Sequence, residues 1–233
     1  MLINIERVFK CCSQQLSLSS LVAFFLALTC LSAYAAQSAV HSAESTKHAE
    51  LAAEPATTPA EVSLPEIARQ TMAVHFGERN IGNKTLEQFA DEMPVRSQFR
   101  KPAGLFVTLS YKGKTRACWG SVYPEEDTIA KSTVYSTISA LTKEYRYPPV
   151  RRSEWKRLKA QVTVIKGIEP ISSISFQNPL RDGLLVRSGG RGGVILPGEA
   201  VDAHYQLVLC KLKAGIKSGE PCQLYRLRTD IYD

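Results

Sequence analysis

A cysteine beside a fixed positive charge is the feature of this sequence best placed to do chemistry. The residues Arg116-Ala-Cys118-Trp-Gly120 end a predicted hairpin whose first strand spans 103–111. Arginine stays protonated at any working pH, and a neighbouring positive charge lowers the pKa of a thiol toward the reactive thiolate. Gly120 would let a ligand or another backbone come close. The competing interpretation is structural, because free cysteine is among the most buried residue types and packs as a small apolar side chain.

A catalytic thiolate usually needs a histidine base, and the sequence selects none. His75 falls in the first predicted helix and His204 in a later one, and no spacing links either to Cys118. No two histidines, cysteines or carboxylates stand at zinc-ligand spacing. The glycine-rich stretch 189–193 fits neither the Walker pattern nor the dinucleotide fingerprint, and is predicted to be a hairpin turn with Arg191 solvated at its tip. We therefore expect no metal and no cofactor.

The stretch from Arg116 to Gly120 also resembles the Arg-Gly-Cys-x-Gly signature of the AMMECR domain family, the Amme component of the AmmeMemoRadiSam protein set. Further segments resemble the family's motifs in collinear order over about residues 64–232: 104–109, 144–150, 159–165, 169–171, 182–186, 196–197 and 210–216. The sequence departs from the family at Ala117, which replaces a glycine. It also departs at 196–200, where Leu-Pro-Gly-Glu-Ala stands for Leu-Pro-Gln-Val-Ala. If that glutamine lines the family's site, the site here is altered.

The matching segments supply the other candidate site residues. Arg146 and Tyr147 come from one segment and Asp182 from another, and the resemblance implies that they gather near Cys118. In that arrangement Arg116 and Arg146 would bind an anionic group or lower the pKa of the thiol. Asp182 could orient one guanidinium through a bidentate pair.

Two functions remain open for such a site. In the first, a cleft lined by cysteine and arginine binds or modifies a small anionic ligand or a partner protein, and whether this is enzyme chemistry stays undecided. In the second, the chain is a non-catalytic protein-binding module, Cys118 is a buried structural residue, and Arg116 makes a structural pair. The family's genomic neighbours imply Memo-type and radical SAM proteins as associates, by resemblance only.

Apolar periodicity and capping residues predict the elements that would position these side chains. Leu105, Val107 and Leu109 alternate with Phe106, Thr108 and Ser110, which predicts a strand with one buried face. The predicted helices and strands are helix 63–79, helix 86–92, strand 103–111, helix 125–143, a short helix at 155–158, strand 160–164, a hairpin over 182–196, helix 199–214 with a Gly215 cap, and strand 223–232. Mixed order and two hairpins predict an α+β fold. The resemblance implies one larger and one smaller lobe, with antiparallel sheets flanked by helices and a cleft between them.

The N-terminus has the pattern of a secretory signal. An uninterrupted apolar run covers 21–31, Arg7 and Lys10 precede it, and Ala33-Tyr-Ala35 supplies a small-x-small cleavage site. We therefore expect a signal peptide over 1–35, export to a periplasmic or extracellular location, and no stable membrane span after cleavage. The alternative is an uncleaved segment that tethers the protein to the membrane.

The following segment is predicted to be a disordered linker. Residues 36–62 are rich in alanine, serine, threonine, glutamate and proline, and such a composition cannot bury enough apolar surface to offset the entropy lost on ordering. The remaining residues, 63–233, form the predicted AMMECR-like domain. An exported domain would meet another exported protein rather than a cytosolic partner.

The predicted domain is basic. The chain carries a net charge of +7, of which the predicted signal contributes +1 and the predicted linker −3, so 63–233 carries +9. The charges are scattered and no nucleic-acid-binding motif accompanies them, so nucleic acid is a disfavoured partner. An anionic lipid or a polyanion outside the cytosol would suit the charge better. The densest cluster, Arg151–Lys159, is expected to be a solvated helix face.

Three cysteines remain after the predicted cleavage: Cys118, Cys210 and Cys222. An odd number in an oxidising compartment leaves one thiol free or paired between chains. The family also has cysteine at the positions of Cys118 and Cys210, whereas Cys222 is extra. A Cys210–Cys222 bridge is therefore one open pairing, and it would leave Cys118 free.

Overall fold

The computed structural model describes residues 60–233. The predicted signal peptide and all but the last three residues of the predicted linker lie outside the described residues. Within this part of the chain, none of the helices has the length and apolar character needed to cross a membrane.

Four helices and six strands make up the domain, and their bounds are as follows. The helices are α1 (Leu64–His75), α2 (Leu86–Asp91), α3 (Ile129–Thr142) and α4 (Ala203–Ala214); the strands are β1 (Leu105–Tyr111), β2 (Lys114–Ser121), β3 (Lys159–Ile171), β4 (Gly183–Ser188), β5 (Arg191–Ile195) and β6 (Gln223–Tyr232). Two short 3₁₀ turns lie at Ser97–Arg100 and Trp155–Arg157.

All six strands form one antiparallel sheet in the order β2-β1-β3-β6-β4-β5. The predicted α+β class is confirmed, and the two implied lobes share this one sheet. The sheet is strongly curled. Four strand spacings separate β2 from β4, roughly 19 Å in a flat sheet, yet Arg187 of β4 donates a hydrogen bond to the hydroxyl of Tyr123, just after β2, over 2.9 Å.

The two halves of the sheet bury separate apolar layers. On the half formed by β1, β2 and β3, the alternating side chains of β1 pack against α1 and α3, and Leu105, Val107 and Leu109 are all buried as predicted. On the other half, Leu184 and Val186 of β4 pack against α4. Because successive side chains of a strand point to opposite faces, Leu185 lies on the other face, where it joins a third cluster.

Several helix ends differ from the prediction because local capping decides them. Helix α1 ends at His75 rather than near 79, since Gly77 adopts a left-handed φ of +70°. Helix α3 begins at Ile129, because the Thr128 side chain accepts a hydrogen bond from the Lys131 amide over 3.1 Å. The acidic residues 125–127 therefore precede the helix instead of forming its first turn. Asp202 caps α4 in the same way, so that helix begins at Ala203 rather than at 199.

Two predictions about arginines also need correction. Arg191 is the first residue of β5 and pairs with Glu220, so it is not merely solvated at a turn tip. The basic side chains of Arg151–Lys159 are exposed as expected, but the stretch forms a turn and a three-residue 3₁₀ helix rather than a helix face. The Gly215 cap and the bounds of β6 are confirmed.

The seating of α4 on the sheet depends on a glycine. A Cβ at Gly193 would lie 2.3 Å from the Cys210 carbonyl oxygen and 2.9 Å from the Ala214 amide nitrogen. At the neighbouring Gly192 the nearest atom to a Cβ would be 3.6 Å away, which is ordinary contact. Helix α4 can therefore approach β5 this closely only because residue 193 has no side chain.

We predict that Gly193→Ala lowers the free energy of unfolding by about 1–3 kcal/mol, because the added methyl group must push α4 away from the sheet. Gly192→Ala in the same strand should change it by less than about 0.5 kcal/mol. Urea unfolding followed by circular dichroism measures both. Equal effects of the two substitutions would contradict the packing described here.

Candidate functional site

Cys118 lies on β2, at an edge of the sheet, and is partly exposed. It pairs with Thr108 of β1, whose hydroxyl donates a hydrogen bond to the Cys118 sulfur over 3.4 Å. The Cys118 amide donates to the Glu144 carboxylate over 2.9 Å. The residue is thus fixed by its side chain on one side and by its backbone on the other.

The carboxylate of Glu144 organises the loop beside Cys118. Its side chain is 3% exposed and accepts four hydrogen bonds. One comes from the Cys118 amide and three come from Arg146, through its amide (3.0 Å), its Nε (3.0 Å) and its Nη2 (2.7 Å). Burial by itself would raise the pKa of Glu144, yet the hydrogen bonds from Arg146 and Cys118 lower it to about 2. Glu144 is therefore ionised at any physiological pH.

The Cys118 thiol does not have the low pKa of a catalytic thiolate. Burial raises its pKa, and the negative charge of Glu199 acts in the same direction. The Thr108 hydrogen bond and the charges of Lys213 and Arg146 oppose this without reversing it. Cys118 is therefore a neutral thiol at physiological pH, contrary to the expected activation by arginine. Glu199 belongs to the segment that departs from the family's motif.

Arg116 fails to activate Cys118 because it is directed elsewhere. The β1–β2 register shifts between the Leu109–Ala117 and Ser110–Thr115 pairs, which leaves Arg116 as the extra residue of a β-bulge. Its guanidinium forms a bidentate pair with Glu154, with distances of 3.1 Å from Nε and 2.7 Å from Nη2. A bulge re-aims the side chain, which the alternation of a regular strand would have placed on the same face as Cys118.

Tyr147 connects the two arginines. The guanidinium carbons of Arg116 and Arg146 each lie 5.9 Å from the centre of its ring, a distance at which a cation is attracted to an aromatic face. The structure thus brings Cys118, Arg146, Tyr147 and Arg116 into one region, as the matching segments implied. Their part in ligand binding stays a prediction.

Asp182 and Gly120 serve roles other than the expected ones. The Asp182 carboxylate faces Arg226 at 3.7 Å and Arg228 at 4.0 Å, and accepts a hydrogen bond from the Asn178 amide, so the expected pairing with Arg116 or Arg146 is wrong. At Gly120 a Cβ would lie 2.1 Å from the Leu105 carbonyl oxygen. The close approach that Gly120 permits is therefore to the backbone of β1.

The remaining titratable candidates are not among the hydrogen-bond partners of Cys118, which are Thr108 and Glu144. His204 is exposed on α4, and His75 ends α1, where burial lowers its pKa. Cys210 and Cys222 are both free thiols, and burial raises the pKa of Cys210 to about 12. In the part of the chain that the structure describes, no group of three or more histidine, cysteine or carboxylate side chains is placed to hold a metal ion.

An exposed apolar surface lies along α4, and it was not among the features predicted from the sequence. In the described part of the chain, eleven large apolar side chains have relative exposures between 36% and 85%. Six of them, with exposures from 50% to 85%, lie on α4 or in the segments beside it: Phe176, Leu180, Val201, Tyr205, Val208 and Leu212. We call these six residues the α4 face. At 100° per residue, positions 205, 208 and 212 of α4 fall within about 60° of one another, and Val201 lies just before the helix begins. This helical spacing of apolar residues can be recognised in the sequence. Only the burial of the opposite side of α4 shows that the opposite side, and not this one, packs on the sheet.

Two hydrogen bonds join the segment that carries Phe176 and Leu180 to α4 and to the turn before it. The Gly198 amide donates to the Pro179 carbonyl over 2.9 Å, which holds Leu180 near the segment that precedes α4. The Gln177 side chain donates to the Gln206 side chain over 3.3 Å, next to Phe176. The two lysines of the last turn, Lys211 and Lys213, give this end of the helix a positive charge.

We predict that Glu144→Gln flattens the acid limb of the stability profile. A carboxyl whose pKa is about 2 when folded and 4.5 when unfolded adds stability above pH 4.5 that is lost as the pH falls toward 2, roughly 3 kcal/mol in all. The wild-type chain should lose that much more stability than the variant between pH 5 and pH 2, by urea unfolding at each pH. The control is Glu169→Gln, whose exposed pair with Arg228 is worth less than about 1 kcal/mol. Parallel acid limbs for wild type and Glu144→Gln would refute the assignment.

Comparisons with known proteins agree with the order of motifs and with the fold. The model of the AMMECR1 family matches residues 65–232. A protein of Thermotoga maritima is 34% identical over 146 residues, covering 61% of this chain and 84% of its own length. A protein of Methanothermobacter thermautotrophicus is 32% identical over 185 residues, covering 73% of this chain and 92% of its own length.

A solved structure shares the fold. The crystal structure of the uncharacterised protein PH0010 from Pyrococcus horikoshii superposes with a TM-score of 0.59 at 23% identity, and covers 72% of this chain and 88% of that one. The family match extends from the second residue of α1 to the last residue of β6. The chain therefore belongs to the AMMECR1 family.

Proposed function

We propose that this AMMECR1 domain is a protein-binding module, and that the α4 face receives the partner. The observation that carries this proposal is the exposure of six large apolar side chains, three of them on one side of α4 and three in the segments beside it. Soluble monomeric proteins rarely leave such surfaces uncovered, and those that do usually bind another protein there. Isolated exposed apolar residues need no such explanation, but a stripe aligned along one helix does.

The state of Cys118 favours binding over thiol chemistry. A nucleophilic cysteine needs a lowered pKa or an adjacent base. Here burial raises the pKa of Cys118. The Cys118 sulfur accepts a hydrogen bond from the Thr108 hydroxyl, which is not a base, and the Glu144 carboxylate binds the Cys118 backbone amide rather than the thiol. In this proposal Cys118 is a structural residue of the edge strand.

The predicted small anionic ligand at Cys118 loses support for a related reason. The charge of Arg146 is offset by Glu144 through a bidentate pair, and the charge of Arg116 is offset by Glu154 in the same way. Neither arginine offers an uncompensated charge to a ligand at the thiol. The residues that the signature pointed to hold the loop after α3 in place instead.

The charge around the α4 face indicates the chemistry of the partner. Lys211 and Lys213 lie in the last turn of α4, and Lys217 follows it. A complementary surface would present an apolar strip bordered by carboxylates at that end, because complementary charges raise the association rate and reject other partners. We therefore propose a partner protein with an apolar, acid-bordered surface.

We predict that Cys118 reacts slowly with iodoacetamide at pH 7, and that its rate rises only above the usual thiol pKa of about 8.5. The reason is that the neutral thiol, not the thiolate, is present at neutral pH. Site-resolved mass spectrometry of the folded full chain gives the rate, with the partly exposed Cys222 as an internal reference. Rapid labelling of Cys118 at pH 6–7 would overturn the assignment of a structural role and restore the thiolate hypothesis.

We further predict that an immobilised wild-type chain captures a specific protein from an extract of its native host, and that Val208→Ser with Leu212→Ser reduces the capture at least tenfold. Both side chains are exposed, so the double variant should unfold at the same urea concentration as the wild type. Cys118→Ser should capture as the wild type does. The matched control is Tyr145→Ser, which removes a similarly exposed side chain beside Cys118.

The same variants separate the alternatives. Loss of capture by Tyr145→Ser but not by the α4 double variant would place the interaction at the Cys118 loop and refute the α4 face. A wild-type chain that is a dimer, and becomes a monomer in the double variant by analytical ultracentrifugation, would show that a second copy covers the α4 face. That result would overturn the proposal of a different partner protein.

A further inference from the structure

A hollow lies on the far side of Arg116, away from Cys118. It encloses about 280 Å³ and is lined by Arg116, Pro148, Arg151, Ser153, Glu154 and Arg157. Three arginines and one glutamate therefore line one small space, and their formal charges sum to +2. Like charges gathered in a concave site create a field that attracts an anion.

The single carboxylate is fully engaged and cannot neutralise the hollow. One oxygen of Glu154 accepts hydrogen bonds from Arg116 Nη2 (2.7 Å) and from the Arg151 amide (2.8 Å), and the other accepts from Arg116 Nε (3.1 Å). Across residues 60–233, the side chains of Arg151 and Arg157 form no pair with a carboxylate. Glu154 thus compensates Arg116 alone.

The walls of the hollow are held by packing. Trp155 is buried and stacks on Phe76 with 5.9 Å between ring centres, which fixes the short helix that carries Arg157. The Arg157 guanidinium lies 5.2 Å from the centre of the Tyr111 ring. Pro148 supplies a rigid apolar wall, and Arg116 is held in its fork with Glu154. Arg116 and Arg157 are therefore positioned before any ligand arrives, which reduces the entropy lost on binding.

We infer that this hollow is a binding site for a phosphate group, supplied as a small phosphomonoester or as free phosphate. The planar, multiple donors of arginine suit the oxygens of a phosphate. Arg151 and Arg157 provide two uncompensated charges that match a doubly charged phosphate, and the Ser153 hydroxyl adds a neutral donor. A carboxylate carries one charge and two oxygens, so it would leave one guanidinium unbalanced.

The volume sets the size of the molecule that carries the phosphate. About 280 Å³ is below the roughly 300–1,000 Å³ typical of pockets for drug-sized ligands. It leaves room for a few carbon atoms against Pro148 beyond the phosphate itself. The site is independent of the α4 face, and its residues are not among those proposed to receive a protein partner.

Isothermal titration of the full chain with glycerol 1-phosphate and, separately, with inorganic phosphate at constant ionic strength tests the site. We expect saturable one-to-one binding of glycerol 1-phosphate, weakened at least tenfold by Arg151→Ala or by Arg157→Ala. Arg157→Lys keeps the charge but loses the planar fork, and should bind with intermediate affinity. The matched control is Arg152→Ala, which removes an exposed arginine of the same segment that does not line the hollow and should change the affinity less than twofold.

The comparisons among variants decide the outcome. Equal weakening by Arg151→Ala and Arg152→Ala would show attraction to overall positive charge and overturn the site, as would titrations that do not saturate. Tighter binding of glycerol 1-phosphate than of inorganic phosphate supports a phosphomonoester as the source, and equal affinities support free phosphate. Unchanged urea midpoints for the variants exclude unfolding as the cause. Because the α4 variants leave this hollow intact, its failure would leave the proposed protein-binding function untouched.

Discussion

The buried carboxylate of Glu144 ties the edge strand β2 to the loop that follows α3. An ionised group in an apolar interior is costly unless hydrogen bonds and an opposite charge replace the lost water. Glu144 obtains all of these from two residues, since Arg146 supplies three donors and the Cys118 amide supplies the fourth. An edge-strand amide that would otherwise face outward is thereby satisfied. The hydrogen bonds to Glu144 therefore set the positions of Cys118, Tyr147 and the Pro148-Pro149 corner.

A second arginine–glutamate fork repeats this solution a short distance away. Arg116 and Glu154 join the bulge of β2 to the turn before β3, and Tyr147 lies between the two guanidinium groups. In these two arginine–glutamate pairs, the carboxylates neutralise the positive charges nearest the thiol. The same pairing leaves other arginines of the basic segment without a carboxylate. The uncompensated positive charge therefore lies on the surface beyond Arg116 rather than beside Cys118.

The fold could be predicted from the sequence wherever a local pattern decides it. The alternation of Leu105, Val107 and Leu109, the Gly215 cap and the whole of β6 follow from periodicity and capping alone. For the candidate site, the sequence predicted which segments lie close together but not which side chains pair. The partner of Arg116 lies 38 residues away at Glu154, and no spacing rule connects them. The bulge that directs Arg116 away from Cys118 contains no glycine that would have indicated it in the sequence. Asp182 contacts arginines of β6, a strand that lies beside β4 only once the sheet has formed.

The order of strands in the sheet has a consequence for how the chain is made. Strand β6, the last of the six strands in sequence order, lies in the interior of the sheet between β3 and β4. Until it arrives, β3 and β4 each have an open edge, and the two halves of the sheet have no hydrogen bonds to join them. A domain whose central strand is translated last cannot complete its sheet on the ribosome while that strand is still in the exit tunnel. Such long-range pairing is slow to form, so the nascent protein passes through a stage with two unjoined half-sheets whose open edges need protection from other chains.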